Sequence, residues 1–195
     1  MRIGILADTH DHLDNVRCAV KEFNEAGCDL VIFAGDFVST FVTPPLRRLN
    51  CPMLACWGDN DGNKLGLRNG ITVCGEVGDP PFCFRTPDGV KILITHQLEL
   101  LRGFTGEFDV IIYAHTHKPQ IERDRHGRLL INPGETSGWS FRKPSIAILE
   151  TKPLDARLIY LPEMPPPQWQ ETRGERYPNR APASANDEPP MDQAD

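Results

Sequence analysis

Five apolar runs in this chain stop abruptly, each at residue types that bind metal ions. "RIGILADTH" (2–10) closes on Asp8-Thr9-His10, and "DLVIFAGD" (29–36) on Gly35-Asp36. "CPMLACWGDND" (51–61) closes on Gly58-Asp59-Asn60-Asp61, "VKILITH" (90–96) on Thr95-His96, and "FDVIIYAHTH" (108–117) on His115-Thr116-His117. A strand covered on both faces reads as a continuous apolar run. In open α/β sheets the carboxyl ends of such strands face the crevice where ligands bind. One polar residue at a strand tip is a turn. Five such endings, bringing four of the six histidines and at least three carboxylates, point to a fold that gathers strand ends in one place.

Between the first three runs lie helical patterns. Leu13, Val16, Ala19, Val20 and Phe23 make one stripe over residues 12–26, and Gly27 is placed to end that helix. "TPPLRRLN" (43–50) predicts a second helix, with Thr43 as its N-cap and prolines in its first turn. Strand, helix, strand, helix, strand implies parallel pairing through right-handed crossovers. From about residue 70 the pattern changes to short strands, "ITVCGEV" (71–77) and "PFCFRT" (81–86), the latter joined by a "PDG" turn to "VKILITH" as a hairpin. "QIERD" (120–124) and "RLLINPG" (128–134) form another hairpin around "RHG", and "PSIAILET" with "ARLIYL" forms the closing pair. The expected class is α/β (α+β), with two packed mixed sheets flanked by helices.

Composition narrows the partners. A net charge of −6 and a pI near 5.5 provide no broad basic field for nucleic-acid phosphates. No apolar run approaches the roughly 18 residues that span a bilayer, and the apolar N-terminal stretch is too short for a secretory signal. The expectation is a soluble, cytoplasmic protein. The six cysteines show no C-x-x-C pairing and read as buried reduced thiols rather than a disulfide framework. After Leu161 the chain turns rich in Pro, Glu, Asp, Arg and Gln. The expected organisation is therefore one domain over 1–161 and a disordered tail over 162–195, with Trp169 and Tyr177 as candidates for docking back on the domain or on a partner.

Carboxylates mixed with imidazoles suit borderline divalent cations. Asp-x-His sets two ligands on one side of an extended segment, because side chains alternate with period two, and His115-Thr116-His117 repeats the device. A carboxylate can bridge two ions, and Asp36 after Gly35 is a natural candidate for that bridge. The ordered set "DTH", "GD", "GDND", "TH" and "AHTH", with "NPGE" (132–135) behind it, resembles the calcineurin-like metallophosphoesterase superfamily. Within it, the similarity is to the small YfcE-type phosphodiesterases of bacteria and archaea, and it covers about residues 1–160.

The resemblance implies a metallophosphoesterase-like four-layer sandwich with two divalent cations, Mn²⁺ first and Ni²⁺, Fe²⁺, Zn²⁺ or Co²⁺ as alternatives. Asp8, His10 and His117 would bind the first ion, Asp36 would bridge, and His96 and His115 would bind the second. The last ligand follows Gly58. Aligned without a gap it is Asp59, where relatives usually carry asparagine; a shift of one residue, which distorts the turn, would make it Asn60. Asp36 and Asn60 are the implied catalytic residues, and Asn60 and His96 would face the substrate phosphate. Many relatives have a histidine after the asparagine ligand, and Asn60 in that place cannot donate a proton as an acid. Slow turnover of poor leaving groups follows, since a positioned acid contributes typically ~10²–10⁴-fold. Gln97 after His96 is a further departure from the family pattern, one that bears on the pocket wall. The implied reaction is hydrolysis of a small phosphodiester by a metal-activated water at a dinuclear site, with no covalent enzyme intermediate. Alternatives are a phosphomonoesterase or cyclic-nucleotide hydrolase, or a non-catalytic scaffold like the retromer subunit that resembles this family; homo-oligomerisation stays open.

Other polar residues have simpler readings. His12 begins the first helix, His126 sits in a hairpin turn, and Asp11 and Asp14 are helix N-terminal charges. Asp61 stabilises its loop, and Arg47 and Arg48 form a solvated face; Trp57 and Trp139 are expected to pack in the core, with walling the pocket as the alternative.

Overall fold

A computed structural model of the chain describes residues 1–162. Its first half alternates strand and helix: β1 (Arg2–Leu6), α1 (Leu13–Ala26), β2 (Leu30–Phe33), a 3₁₀ turn (Thr40–Val42), α2 (Thr43–Leu46), β3 (Met53–Cys56), α3 (Lys64–Ile71) and β4 (Gly75–Gly78). The second half is strand-rich: β5 (Phe82–Arg85), β6 (Lys91–Ile94), β7 (Val110–Ile112), β8 (Gln120–Arg123), β9 (Leu129–Asn132), β10 (Ser145–Glu150) and β11 (Asp155–Tyr160). Two mixed sheets result, ordered β11-β10-β1-β2-β3-β4 and β5-β6-β7-β9-β8. β1 through β4 are mutually parallel, as are β6, β7 and β9, while the two hairpins and the β10–β11 pair are antiparallel.

Period-two alternation explains why the first strands are apolar throughout. Ile3 and Ile5 of β1 and Leu30 and Ile32 of β2 point between the sheets, toward Ile92, Ile94, Val110, Ile112 and Ile131. Leu6, Val31 and Phe33 point the other way, into a second core with Val16, Val20 and Phe23 of α1, Leu46 of α2, and Leu67 and Ile71 of α3. Each fully buried large side chain of this kind stabilises the fold by about 1.5–3 kcal/mol. Helix α1 lies so close to β1 that a Cβ on Gly4 would come within 2.5 Å of the Phe23 ring. It starts on His12, whose Nδ1 accepts from the Asn15 amide, and ends at Gly27 in the left-handed conformation.

The structure departs from the sequence reading at two elements and at the cysteines. The second helix stops at Leu46, and Thr43 lies inside it with its hydroxyl donating to the Thr40 carbonyl; Ser39 caps the preceding 3₁₀ turn instead. Helix α3 occupies residues up to Ile71, so the strand expected from Ile71 begins only at Gly75. The cysteines are all unpaired, but only Cys28 and Cys56 are buried and Cys83 is exposed. The tail expected from residue 162, with Trp169 and Tyr177, lies outside the described residues apart from Pro162. Among the described residues, no helix is long and apolar enough to cross a membrane.

Candidate metal centre

The parallel strands set up the centre, because their carboxyl ends all leave the sheets on the same side. Asp8 and His10 follow β1, Asp36 follows β2, and Asp59 follows β3; His96 follows β6, and His115 and His117 follow β7. All seven residues expected as ligands converge. Asp8, His10, Asp36 and His117 offer donor atoms within 4.8 Å of one another, and Asp59, His96 and His115 form a second such group. Asp36 joins the two: its Oδ2 lies 3.5 Å from His10 Nε2 and 3.5 Å from His96 Nε2.

Close approach of these loops requires the glycines before the aspartates. A Cβ on Gly58 would stand 2.1 Å from Asp36 Oδ1 and 2.4 Å from the Asp36 nitrogen. One on Gly35 would stand 2.5 Å from His96 Nδ1, and Gly35 has a positive φ of 94°. Five of the seven ligand candidates are held in the left-handed region, with φ of 50° at Asp8, 39° at His10, 63° at Asp36, 69° at His115 and 61° at His117. Such conformations cost about 1–2 kcal/mol per residue and cluster at functional sites.

Second partners aim the imidazoles. His96 Nδ1 is 2.7 Å from the Ala34 carbonyl, which leaves Nε2 facing the centre. His117 Nδ1 is 3.0 Å from Glu135 Oε2 and 2.8 Å from Ser140 Oγ, so its Nε2 is turned toward His10 Nε2, 3.2 Å away, and Asp8 Oδ1, 3.7 Å away. Metal-binding histidines are oriented in this way, with a carboxylate or carbonyl on the far nitrogen. Glu135 is fully buried and accepts from the Ser140 and Phe141 amides and the Ser137 hydroxyl. Burial works against its ionisation, but these donors and His117 outweigh it and hold the carboxyl low.

Two of the three buried side-chain atoms without a hydrogen bond among the described residues belong to the centre, Asp8 Oδ1 and His96 Nε2, the third being Asn15 Oδ1. His96 Nε2 is 2.9 Å from Asp59 Oδ1 but out of line for a hydrogen bond. Unsatisfied carboxylate and imidazole atoms at such spacing, once deprotonated, suit cations held between them. Asp59 also lies 3.1 Å from His115 Nδ1, whereas the Asn60 amides, main chain and side chain, both donate to Asp36 at 2.9 and 2.8 Å.

Without cations, protons balance the cluster. Burial pushes the Asp8 carboxyl up to about 8, against the pull of His96. Burial acts on Asp36 as well, yet the nearby His96, 3.5 Å away, and the Asn60 donors prevail, leaving its carboxyl well below the usual range. Burial disfavours a charged His96, but Asp36 and then Asp8 raise it to about 9. His10 is pushed down, chiefly by burial.

Sequence reasoning quoted "NPGE" but gave Glu135 no role. The parallel strand β9 ends three residues before it, at Asn132, and an acid just past a strand end was the available signal. Of the simpler readings, Asp61 does hold its loop, accepting from the Val38 and Gly58 amides. Trp57 is buried, but Trp139, expected in the core, is 64% exposed at the rim of the centre.

Two sheets whose parallel strand ends converge on such a donor set define a metal-dependent phosphoesterase. The model of the calcineurin-like phosphoesterase superfamily domain matches residues 1–153, and the chain belongs to this family. It is 39% identical over 169 residues to phosphodiesterase MJ0936 of Methanocaldococcus jannaschii, covering 83% of this chain and 99% of that protein. The solved structure of an archaeal phosphodiesterase superposes with a TM-score of 0.76 at 37% identity, covering 83% of this chain and 100% of the other. YfcE, a phosphoesterase from E. coli, shares the fold with a TM-score of 0.62 at 16% identity, over 83% of this chain and all of its own.

Proposed function

We propose that the protein is a phosphodiesterase that works with a pair of divalent cations, Mn²⁺ first among them, on small phosphodiesters. The observation that carries this reading is the pairing of two donor groups, Asp8-His10-His117 and Asp59-His96-His115, across the single carboxylate of Asp36. Similarity to phosphodiesterase MJ0936 along most of the chain supports the substrate class. A bound cation pair lowers the pKa of water and stabilises charge on phosphoryl oxygens. The net reaction adds water to phosphorus, breaks the bond to the leaving oxygen, and gives a monoester and an alcohol.

The chain's own part is positioning. Asp36, kept ionised, would be shared between the two cations, and the two Asn60 donors fix its orientation. The side-chain amide of Asn60 has a second hydrogen for a phosphate oxygen. Asp59 rather than Asn60 is the ligand after Gly58, since Asp59 faces both His96 and His115. His96 is buried, with Nδ1 taken by Ala34, which suits a ligand better than a phosphate contact. Complete donor groups favour an enzyme over a scaffold of the same fold.

Replacement of Asp36 by Asn tests the proposal with bis(p-nitrophenyl) phosphate and Mn²⁺. The expected loss is at least ~100-fold, the scale of removing a principal electrostatic contact. Full activity in Asp36→Asn would overturn the reading, as would metal-replete wild type with no diesterase activity.

A further inference from the structure

Trp139 belongs to no core. Its indole is 64% exposed, yet it is held at two points: Nε1 donates to the His10 carbonyl at 3.3 Å, and its ring meets the His12 imidazole at a centroid distance of 4.6 Å. The loop that carries it is equally fixed. Gly138 before it has a positive φ of 71° and lies against Pro144, where a Cβ would come within 2.9 Å of the proline ring. Ser140 and Phe141 after it donate their amides to Glu135, the residue that aims His117. An exposed aromatic is thus anchored to the backbone of one ligand candidate, on the loop that orients another. The Phe141 ring, by contrast, already lies beneath Lys118 Nζ, 5.8 Å from its centroid.

We propose that Trp139 is a specificity-determining platform on which a flat aromatic arm of the substrate stacks, so that the preferred phosphodiesters carry a nucleoside. This rests on the phosphodiesterase reading above and deepens it. A large π-face fixed in advance loses little entropy when a ring lies on it, and stacking on one aromatic side chain tolerates any base. With a net charge of −6 and a single such platform beside the centre among the described residues, the surface fits one nucleoside next to the phosphate, not a long strand. The Nε1 hydrogen is already used on His10, so the ring contributes its face rather than a hydrogen bond.

Product-like ligands separate the platform from the phosphate site. Adenosine 5′-monophosphate and ribose 5-phosphate present the same phosphate with and without a base. Their affinities for the Mn²⁺-loaded full chain, measured by titration calorimetry, are compared among wild type, Trp139→Ala and Trp139→Phe. Wild type is expected to bind the nucleotide about tenfold more tightly. Trp139→Ala should abolish that preference and leave ribose 5-phosphate affinity unchanged, and Trp139→Phe should keep most of the preference. No preference in wild type, or equal weakening of both ligands in Trp139→Ala, would overturn the platform while leaving the phosphodiesterase standing. Failure of both ligands to bind wild type would remove the phosphate site and the platform with it.

Discussion

Glu135 shows how much of the centre depends on a buried residue outside both donor groups. Its carboxylate fixes the His117 ring, while the Ser140 and Phe141 amides and the Ser137 hydroxyl fix the carboxylate. Glu135→Gln keeps the volume but replaces one acceptor by an NH₂ group, so His117 loses its anionic partner. Outer partners of metal-binding histidines contribute ~10–100-fold to affinity. Mn²⁺ titration of Glu135→Gln is expected to show a loss of that size. At the same scale, Asp8 and His96 link cation binding to pH. Both titrate above their ordinary values, at about 8 and about 9, so the cation-free centre holds their protons at neutral pH. Cations displace those protons, and binding must strengthen as pH rises toward this window. Calorimetric Mn²⁺ titrations at pH 7 in buffers of different ionisation enthalpy should reveal release of more than one proton. Affinity should fall further at pH 6.

Among the elements, the loops after β2 and β3 are bound to each other by the glycine at 58. Gly58→Ala drives a methyl group into the Asp36 backbone, which cannot swing aside as the tip of a long side chain would. Destabilisation of about 1–3 kcal/mol is expected in denaturant unfolding, together with loss of Mn²⁺ binding. The long strands and α1 were readable because apolar runs and a helical stripe leave strong periodic signals. Helix α3 was not, for a physical reason. Its eight residues include Gly66 and Gly70, poor helix formers. They are there because a Cβ on Gly66 would strike Asn63 and Thr40, and one on Gly70 would strike Thr43. Tertiary closeness thus overrode local propensity, and Asn63, whose side chain accepts from the Gly66 amide, was the one cap signal left.

For the molecule as a whole, the donor set was readable from sequence because parallel topology carries strand ends to one side whatever lies between them. Each ligand candidate announced itself by residue type at a strand tip. The supporting contacts did not, since they depend on packing across distant segments: the Ala34 carbonyl on His96, Glu135 on His117, and Trp139 on His10. A main-chain carbonyl has no sequence signature, and an exposed tryptophan looks like a buried one until its surroundings are known.

Anomalous diffraction at the manganese edge, from crystals grown with Mn²⁺, tests the two-ion centre most directly. Two peaks are predicted, one bounded by Asp8, His10 and His117 and the other by Asp59, His96 and His115, with Asp36 touching both. A lone peak, peaks away from these side chains, or an Asp36 that contacts only one ion would contradict the account.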